Sequence, residues 1–288
     1  MKCELSIVVP IYNGEKFIEA KLRSLSNIQN VDYEVIVVLN KSTDRSDEIL
    51  ESLSELVRNF SVIRQDSFVE AGFNFLSGVK SANGQYIFVS AVDDLCDNSF
   101  YRKAIDKLIS IRSAVAVAPI TFFAENTQAL GGITFQLTGP IEERITELSR
   151  NIRISHGIFY SLMRRETALE LYEAVLHDFH FPGGDWLFNF RLAILGEVYR
   201  EQTCKCIFGI KGISRGVNSL WRPKDKSIRK ILPYGHLVSR LIGLSKSQKM
   251  SVKLIFFRFC LRLIKGNIHR YLFYLVRIVK PSSRSGSE

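Results

Sequence analysis

Glu34-Val35-Ile36-Val37-Val38-Leu39 is continuously apolar after its first residue. A strand with one wet face alternates apolar and polar side chains. This run therefore reads as a strand buried on both faces, as in a parallel sheet covered by helices. Immediately downstream, Ser42-Thr43-Asp44 offers an N-cap for a helix carrying Ile49, Leu50, Leu53 and Leu56. Upstream, Ser6-Ile7-Val8-Val9-Pro10 is a short β-branched run followed by the turn residues Asn13-Gly14. Between Glu15 and Ser26, the residues Phe17, Ile18, Leu22 and Leu25 recur at helical spacing. A third strand at Ser61 to Arg64, a helix at Ala71 to Ser81 and a fourth strand at Tyr86 to Ser90 continue the alternation. Together they imply an α/β fold with a doubly wound, mostly parallel, Rossmann-like sheet, whose ligands bind at the carboxyl ends of the strands.

Beyond this third of the chain, Asn98 to Ile111 reads as a helix and Ala114 to Pro119 as another buried strand. Apolar alternation around Gly131-Gly132 suits a hairpin between Thr121 and Gly139. Glu142 to Arg150 and Glu166 to Leu176 are predicted helices, joined by the apolar segment Gly157 to Met163. A Phe181-Pro182-Gly183-Gly184 turn leads into a helix at Asp185 to Leu195, and Val198 to Ile210 has strand character. No internal repeat or long linker interrupts residues 1–221, which read as one domain with halves at 1–110 and 111–221.

The formal charge of +10 is unevenly placed. Residues 222–288 hold sixteen Lys/Arg against two acids, a net +14, whereas residues 1–221 carry a net −4. The five cysteines (Cys3, Cys96, Cys204, Cys206, Cys260) contain no Cys-x-x-Cys, so neither a disulfide framework nor a zinc site is expected. Cys204 and Cys206 fall on one face of a strand and read as buried core, in keeping with a reducing cytosol. Glu4 and Pro10 break the first apolar stretch, which is read as a strand and not as a signal peptide.

Asp93-Asp94 follows the fourth strand directly. Two carboxylates leaving a buried strand are costly unless a cation joins them, and in an α/β fold that cation is commonly a divalent ion on a diphosphate. No Gly-x-Gly-x-x-Gly follows the first strand, which disfavours a dehydrogenase.

Residues 6–25 (SIVVPIYNGEKFIEAKLRSL), 33–49 (YEVIVVLNKSTDRSDEI) and 82–94 (ANGQYIFVSAVDD) are similar in order and spacing to the N-terminal half of a family 2 glycosyltransferase of the GT-A fold. Residues 155–216 resemble that family's acceptor half more loosely. The resemblance implies that Pro10, Tyr12 and Asn13 meet the donor nucleotide, with Asn40 and Ser42 at the end of the second strand. Asn40 stands where the family carries an acid, so it brings an amide that both donates and accepts but no charge. Phe75 and Leu76 occupy the family's Arg-Asn positions, ahead of Gly78, Ala82 and Gly84, which match. Arg64 and Lys41 are substitute cations. Asp94 would reach Mg2+ or Mn2+ on the diphosphate, and Asp93 the ribose or the metal's water shell. Asp185 matches the acid that opens an aromatic-rich helix in the family. It is the expected general base of an inverting displacement, at a helix start that favours negative charge. An N-cap role for Asp185 is compatible with that. His156, His177 and His180 are candidate metal or acceptor contacts, and Arg164-Arg165 matches a segment beside the acceptor site.

Residues 222–288 form the tail. Between Lys249 and Lys280 there is no proline, and at 100° per residue Arg258, Arg262, Lys265 and His269 share a sector of about 60°. Phe256, Phe257, Phe259, Leu263, Leu272 and Phe273 lie outside it. The longest uncharged apolar run, Tyr271 to Val276, has six residues, too few to span a bilayer. The tail therefore reads as a basic amphipathic helix lying on an anionic membrane surface. The expected activity is transfer from a nucleoside-diphosphate sugar, UDP- or dTDP-linked, to a lipid-linked or lipopolysaccharide acceptor. The expected location is peripheral, on the cytoplasmic face of the plasma membrane. A GT-A-like protein without catalysis, acting as a binding or assembly partner, is the alternative. Nucleic acid is not expected as a partner, because no reading module accompanies the charge.

Overall fold

The computed structural model describes residues 3–123, 133–209 and 234–279. Leu5–Ile11 (β1) lies at the centre of the first half-sheet, with every residue buried except Pro10. It pairs in parallel with Tyr33–Leu39 (β2) on one side and Tyr86–Val89 (β4) on the other. Phe60–Arg64 (β3) extends the sheet beyond β2, again in parallel. Pro10 is tolerated in this central strand because of its register. Val8 O accepts from Ser90 N, and the β4 pairing ends at Val8↔Val89, so the donor that Pro10 lacks faces the open side beyond the last pair.

Helices α1 (Ile18–Ser26), α2 (Ser46–Ser52) and α3 (Ala71–Ser81) cover this half-sheet. The formal cap of α2 is Arg45, but Asp44 Oδ1 accepts the Ser46 amide at 3.1 Å, so the acid expected to cap the helix does satisfy its first turn. Gly78 lets α3 approach closely: a Cβ there would collide with the side chains of Val8 and Val38.

The second half departs from pure parallel winding. Among the described residues, Leu95–Cys96 (β5), Ala114–Phe123 (β6), Leu162–Arg164 (β7) and Glu197–Phe208 (β8) complete an eight-stranded sheet in the order β3-β2-β1-β4-β7-β6-β8-β5. Strand β7 inserts antiparallel between β4 and β6. Strand β8 runs parallel to β6, and β5 lies antiparallel on its edge. The result is a mixed α/β sheet of the GT-A type. Strand β6 runs four residues past the expected Pro119. Thr121 bridges antiparallel to Ile133, while residues 124–132, with most of the expected hairpin turn, lie outside the described residues. Helices α4 (Ser99–Ser110), α5 (Ile141–Asn151), α7 (Arg165–Ala174) and α8 (Gly184–Leu195) match the expected ones within a few residues. The segment 157–163 divides into the short helix α6 (His156–Phe159) and β7.

One expectation is corrected. Cys96 and Cys206, directly paired across β5 and β8, form a disulfide, where none was expected. The pairing joins positions 110 residues apart, so no local spacing announces it. Cys204 and Cys206 are both buried, as expected for that strand face.

The described residues fall into two units, one of 3–180 with 184–209 and one of 181–183 with 234–279. In the second, α9 (Gly235–Ser245) packs against the thirty-residue α10 (Met250–Val279), which fills the span expected to be helical. Among the described residues, no helix is long and apolar enough to cross a membrane.

Candidate functional site

The carboxyl ends of β1 and β2 are laced together. Asn13 takes a positive φ of 53°, donates its amide to Ser42 Oγ at 3.0 Å and accepts from Thr43 N at 2.8 Å. Gly14 N donates to Ser46 Oγ at 2.9 Å, and Glu15 N to Asp44 Oδ2 at 3.0 Å. Asn13 and Ser42 thus belong to one hydrogen-bonded rim, with Pro10 just upstream in β1. Asn40 is buried, and both ends of its amide are engaged. Nδ2 donates to Val69 O at 2.8 Å, while Oδ1 accepts from Val69 N and Lys41 N, each at 3.0 Å. It ties the loop after β3 to the end of β2. Tyr12 is exposed and stands edge-on to exposed Phe68, with ring centroids 5.1 Å apart. Sequence reasoning missed Phe68, which sits in a loop without periodicity.

The acidic pair leaves β4 through a tight turn in which Asp94 N donates to Ala91 O at 3.1 Å. Asp94 is buried and its Oδ1 accepts from Gly209 N at 3.0 Å, while Asp93 is half-buried. Gly209 has to lack a side chain, since a Cβ there would overlap the Asp93 carboxylate. Beneath the pair, Lys21 of α1 donates from Nζ to Ser90 Oγ at 2.5 Å and to Asp94 O at 2.6 Å. Burial pushes the Lys21 ammonium down to about 8, against the opposing pull of Asp94 and Asp93. Lys21 lies at helical spacing from Ile18 and Leu25, on the buried face. That spacing was the available signal for a lysine sequence reasoning left unnoticed.

Asp185 lies in the first turn of α8, inside the helix and not at its cap. Its Oδ2 stands 3.6 Å from His156 Nδ1. Tyr160 lies just after α6. Burial pushes its phenol well above the usual range, and the charges of Asp94, Asp93 and Asp185 all act in the same direction. Its ring packs edge-on against Phe159 at 4.8 Å and Phe208 at 5.0 Å.

Other expected residues stand elsewhere. Phe75 joins an aromatic cluster with Phe159, Tyr172 and Phe179, so it is committed to packing. Arg64 pairs with Asp47 and Glu51 on the outer edge. His180 pairs with Glu70 at 3.2 Å and His177 lies edge-on to Phe73. Arg164 and Arg165 donate to the carbonyls of Ala114 and Ala82, which makes them pins for β7.

Among the described residues, no three His, Cys, Asp or Glu side chains form a metal-holding group. The Asp93-Asp94 pair supplies hard oxygen donors from two carboxylates. A cation held there has to complete its shell with water and ligand phosphates. That donor set fits Mg2+ or Mn2+ and not a closed zinc site.

The profile of glycosyl transferase family 2 matches residues 6–172. The poly(ribitol-phosphate) beta-glucosyltransferase of Bacillus spizizenii is 38% identical over 94 residues, covering 32% of this chain and 15% of its own. TarS residues 1–349 from S. aureus, solved with UDP-GlcNAc, superimposes with a TM-score of 0.59 at 17% identity, over 93% of this chain and 82% of that one. The mannosyltransferase PcManGT of Pyrobaculum calidifontis, solved with GDP-Man and Mn2+, gives a TM-score of 0.57 at 16% identity, over 94% and 75%. The chain spans between 14% and 30% of the length of the curated relatives it matches.

Proposed function

The chain belongs to glycosyl transferase family 2, and from that premise we propose that it is an inverting glycosyltransferase. It takes a sugar from a nucleoside-diphosphate donor and places it on a membrane-associated acceptor in surface-polymer synthesis. The observation that carries this reading is the acidic pair at the carboxyl end of β4, where the Gly209 amide fixes Asp94 at the same end of the sheet as the rim laced between β1 and β2. Carboxylates at the end where an α/β sheet binds its ligands are placed to hold a cation on a departing diphosphate.

Each residue's task follows from its position. The Tyr12–Phe68 pair offers aromatic surface to a nucleotide base at the rim built by Asn13 and Ser42, with Pro10 just upstream in β1. Asn40 holds the loop of Val69 at that rim. Asp94 and Asp93 hold the divalent cation. When bound, Mg2+ or Mn2+ supplies positive charge for the departing diphosphate. Asp185 accepts the proton of the attacking acceptor hydroxyl. The new bond forms from that oxygen to the anomeric carbon as the bond to the diphosphate oxygen breaks. His156 stands beside Asp185 and limits its orientation.

Neighbours in fold are solved with UDP-GlcNAc and with GDP-Man and Mn2+, which supports a nucleotide-sugar donor without choosing its base. The poly(ribitol-phosphate) relative supports a cell-surface polymer as acceptor. A basic helical tail suits peripheral residence on the inner face of the plasma membrane, where lipid-linked acceptors are confined. Residues 222–288 are proposed as that module, beside a transferase domain of residues 1–221.

The test is nucleoside-diphosphate release from UDP-, dTDP- and GDP-sugars with Mn2+ or with chelator. Metal-dependent release from one donor is expected. Neither binding nor turnover of any of them would leave the non-catalytic binding role.

A further inference from the structure

Lys21 is 2% exposed, on the face of α1 turned to the sheet. A lysine is rarely buried without a task, since removing its ammonium from water is costly unless partners replace the hydration. Here two of its three N–H groups are accounted for by Ser90 Oγ and the Asp94 carbonyl. Both acceptors flank the turn that carries Asp93 and Asp94. An apolar side chain of similar size would fill the slot at a lower desolvation cost. It would, however, remove the donor from a buried hydroxyl and from a carbonyl beside the acidic pair.

We infer that Lys21 is a positioning residue of the cation site, fixing the Asp93-Asp94 turn from beneath through the Ser90 hydroxyl and the Asp94 carbonyl. The inference rests on the reading of those two acids as cation ligands. Two carboxylates on adjacent residues repel each other, and an ammonium below them offsets that repulsion before a cation arrives. The Gly209 amide holds the Asp94 side chain from the opposite strand, so the turn is clamped between α1 and the end of β8. The ammonium touches the main chain of Asp94, which leaves its role one of aim and not of coordination.

Mn2+ binding, followed by electron paramagnetic resonance and by calorimetry in the presence of UDP, tests the inference on the full chain. Lys21→Met is expected to weaken Mn2+ binding by about 10- to 100-fold, the usual loss when a group supporting a metal ligand is removed. UDP binding in EDTA, which reads the rim and its aromatic pair alone, is expected to stay unchanged. Activity at saturating Mn2+ is expected to recover. Wild-type Mn2+ affinity in Lys21→Met would overturn the inference, and so would equal losses with and without metal, because these mark general damage. If wild-type protein binds no Mn2+, the ligand assignment of Asp93 and Asp94 fails first, and the role of Lys21 falls with it. If Lys21→Met does not fold, Ser90→Ala releases one side of the ammonium without emptying the slot. Weaker Mn2+ binding is then expected, and unchanged binding overturns the inference.

Discussion

His156 Nδ1 and Asp185 Oδ2 face each other across 3.6 Å, from the start of α6 and the first turn of α8. The distance is beyond a hydrogen bond but within ion-pair range, and both side chains remain about one-third exposed. An acid so placed is open to an acceptor and steered by one neighbour. Asp185→Asn keeps the shape and removes the proposed base. Transfer is expected to fall by about 10²- to 10⁴-fold, the usual contribution of a positioned base. Donor affinity measured by calorimetry should not change. Retained turnover would exclude Asp185 from proton transfer.

Removing the proposed cation ligands should act at the other end of the reaction. Asp94→Ala deletes a carboxylate whose Oδ1 also anchors Gly209 N, so it is expected to abolish metal-dependent donor binding and to lower the melting temperature. Asp93→Ala deletes a half-buried carboxylate and is expected to affect the melt less. Donor titrations with Mn2+ and with EDTA check both. Metal-dependent binding that survives in Asp94→Ala refutes its assignment.

Much of this arrangement is legible in the chain, and the exceptions have physical causes. The parallel half-sheet is readable because Val35 to Leu39 is buried on both faces, which suppresses alternation and leaves a distinctive apolar run. The antiparallel insertion of β7 is not readable, because Leu162–Arg164 is too short to display a period. The Cys96–Cys206 bond depends on two strands distant in sequence becoming neighbours. Asp93 and Asp94 stand out in the chain as paired acids directly after a buried strand, whereas Asp185 takes its expected role from the family resemblance. The packing of Tyr160 against Phe208 has no signal in the chain, because the two meet only once the sheet has formed. Lys21 sat on an apolar helical face in plain view, but a lysine there is read as solvated by default.

The disulfide gives a direct chemical prediction. Cys3, Cys204 and Cys260 are free, so protein denatured without reductant should titrate three thiols, and five after reduction. Closing a loop across 110 residues is expected to contribute about 2–5 kcal/mol. Cys96→Ser with Cys206→Ser should reduce chemical-denaturation stability by that order. Five thiols in unreduced protein would refute the bond.

Acid sensitivity should reside partly at Glu197, where β8 begins. The Ser113 hydroxyl, followed by the Gly139 amide, holds its carboxyl below the usual range, against a smaller effect of burial. A depressed folded value means that the ionised form stabilises the fold. That stability is present above the unfolded value and is lost as pH falls through the folded one. Glu197→Gln is therefore expected to melt earlier than wild type at neutral pH, with the gap closing as pH falls through the depressed folded value. A gap that is constant with pH would mean the ionised carboxylate is not the stabilising group.

The membrane prediction rests on how α10 sorts its apolar residues. Val252, Phe256, Phe259 and Cys260 are buried, whereas Met250, Leu254, Phe257, Leu261 and Ile268 are between 47% and 76% exposed. The exposed set recurs at spacings of three, four and seven, which draws one line along the helix. Arg258, Arg262 and Lys265 are exposed on its flank. The same line could pair two copies of the chain, but it would bring two basic flanks together with no acid on the stripe to relieve them. An anionic bilayer accepts both the apolar line and the flank. Partial burial of each large side chain is worth on the order of 1 kcal/mol and each juxtamembrane cation about 1 kcal/mol. Phe257→Glu with Leu261→Glu should therefore cost about 3 kcal/mol, or roughly a hundredfold in vesicle affinity. The measurement is co-sedimentation with phosphatidylglycerol vesicles across salt, beside neutral vesicles and a chain ended after Ser245. Wild type should sediment with anionic vesicles only, and both altered chains should stay in the supernatant. Undiminished sedimentation of the double glutamate variant would show that the anchor is elsewhere. A wild-type dimer that the variant dissolves, without vesicle binding, would assign the stripe to self-association.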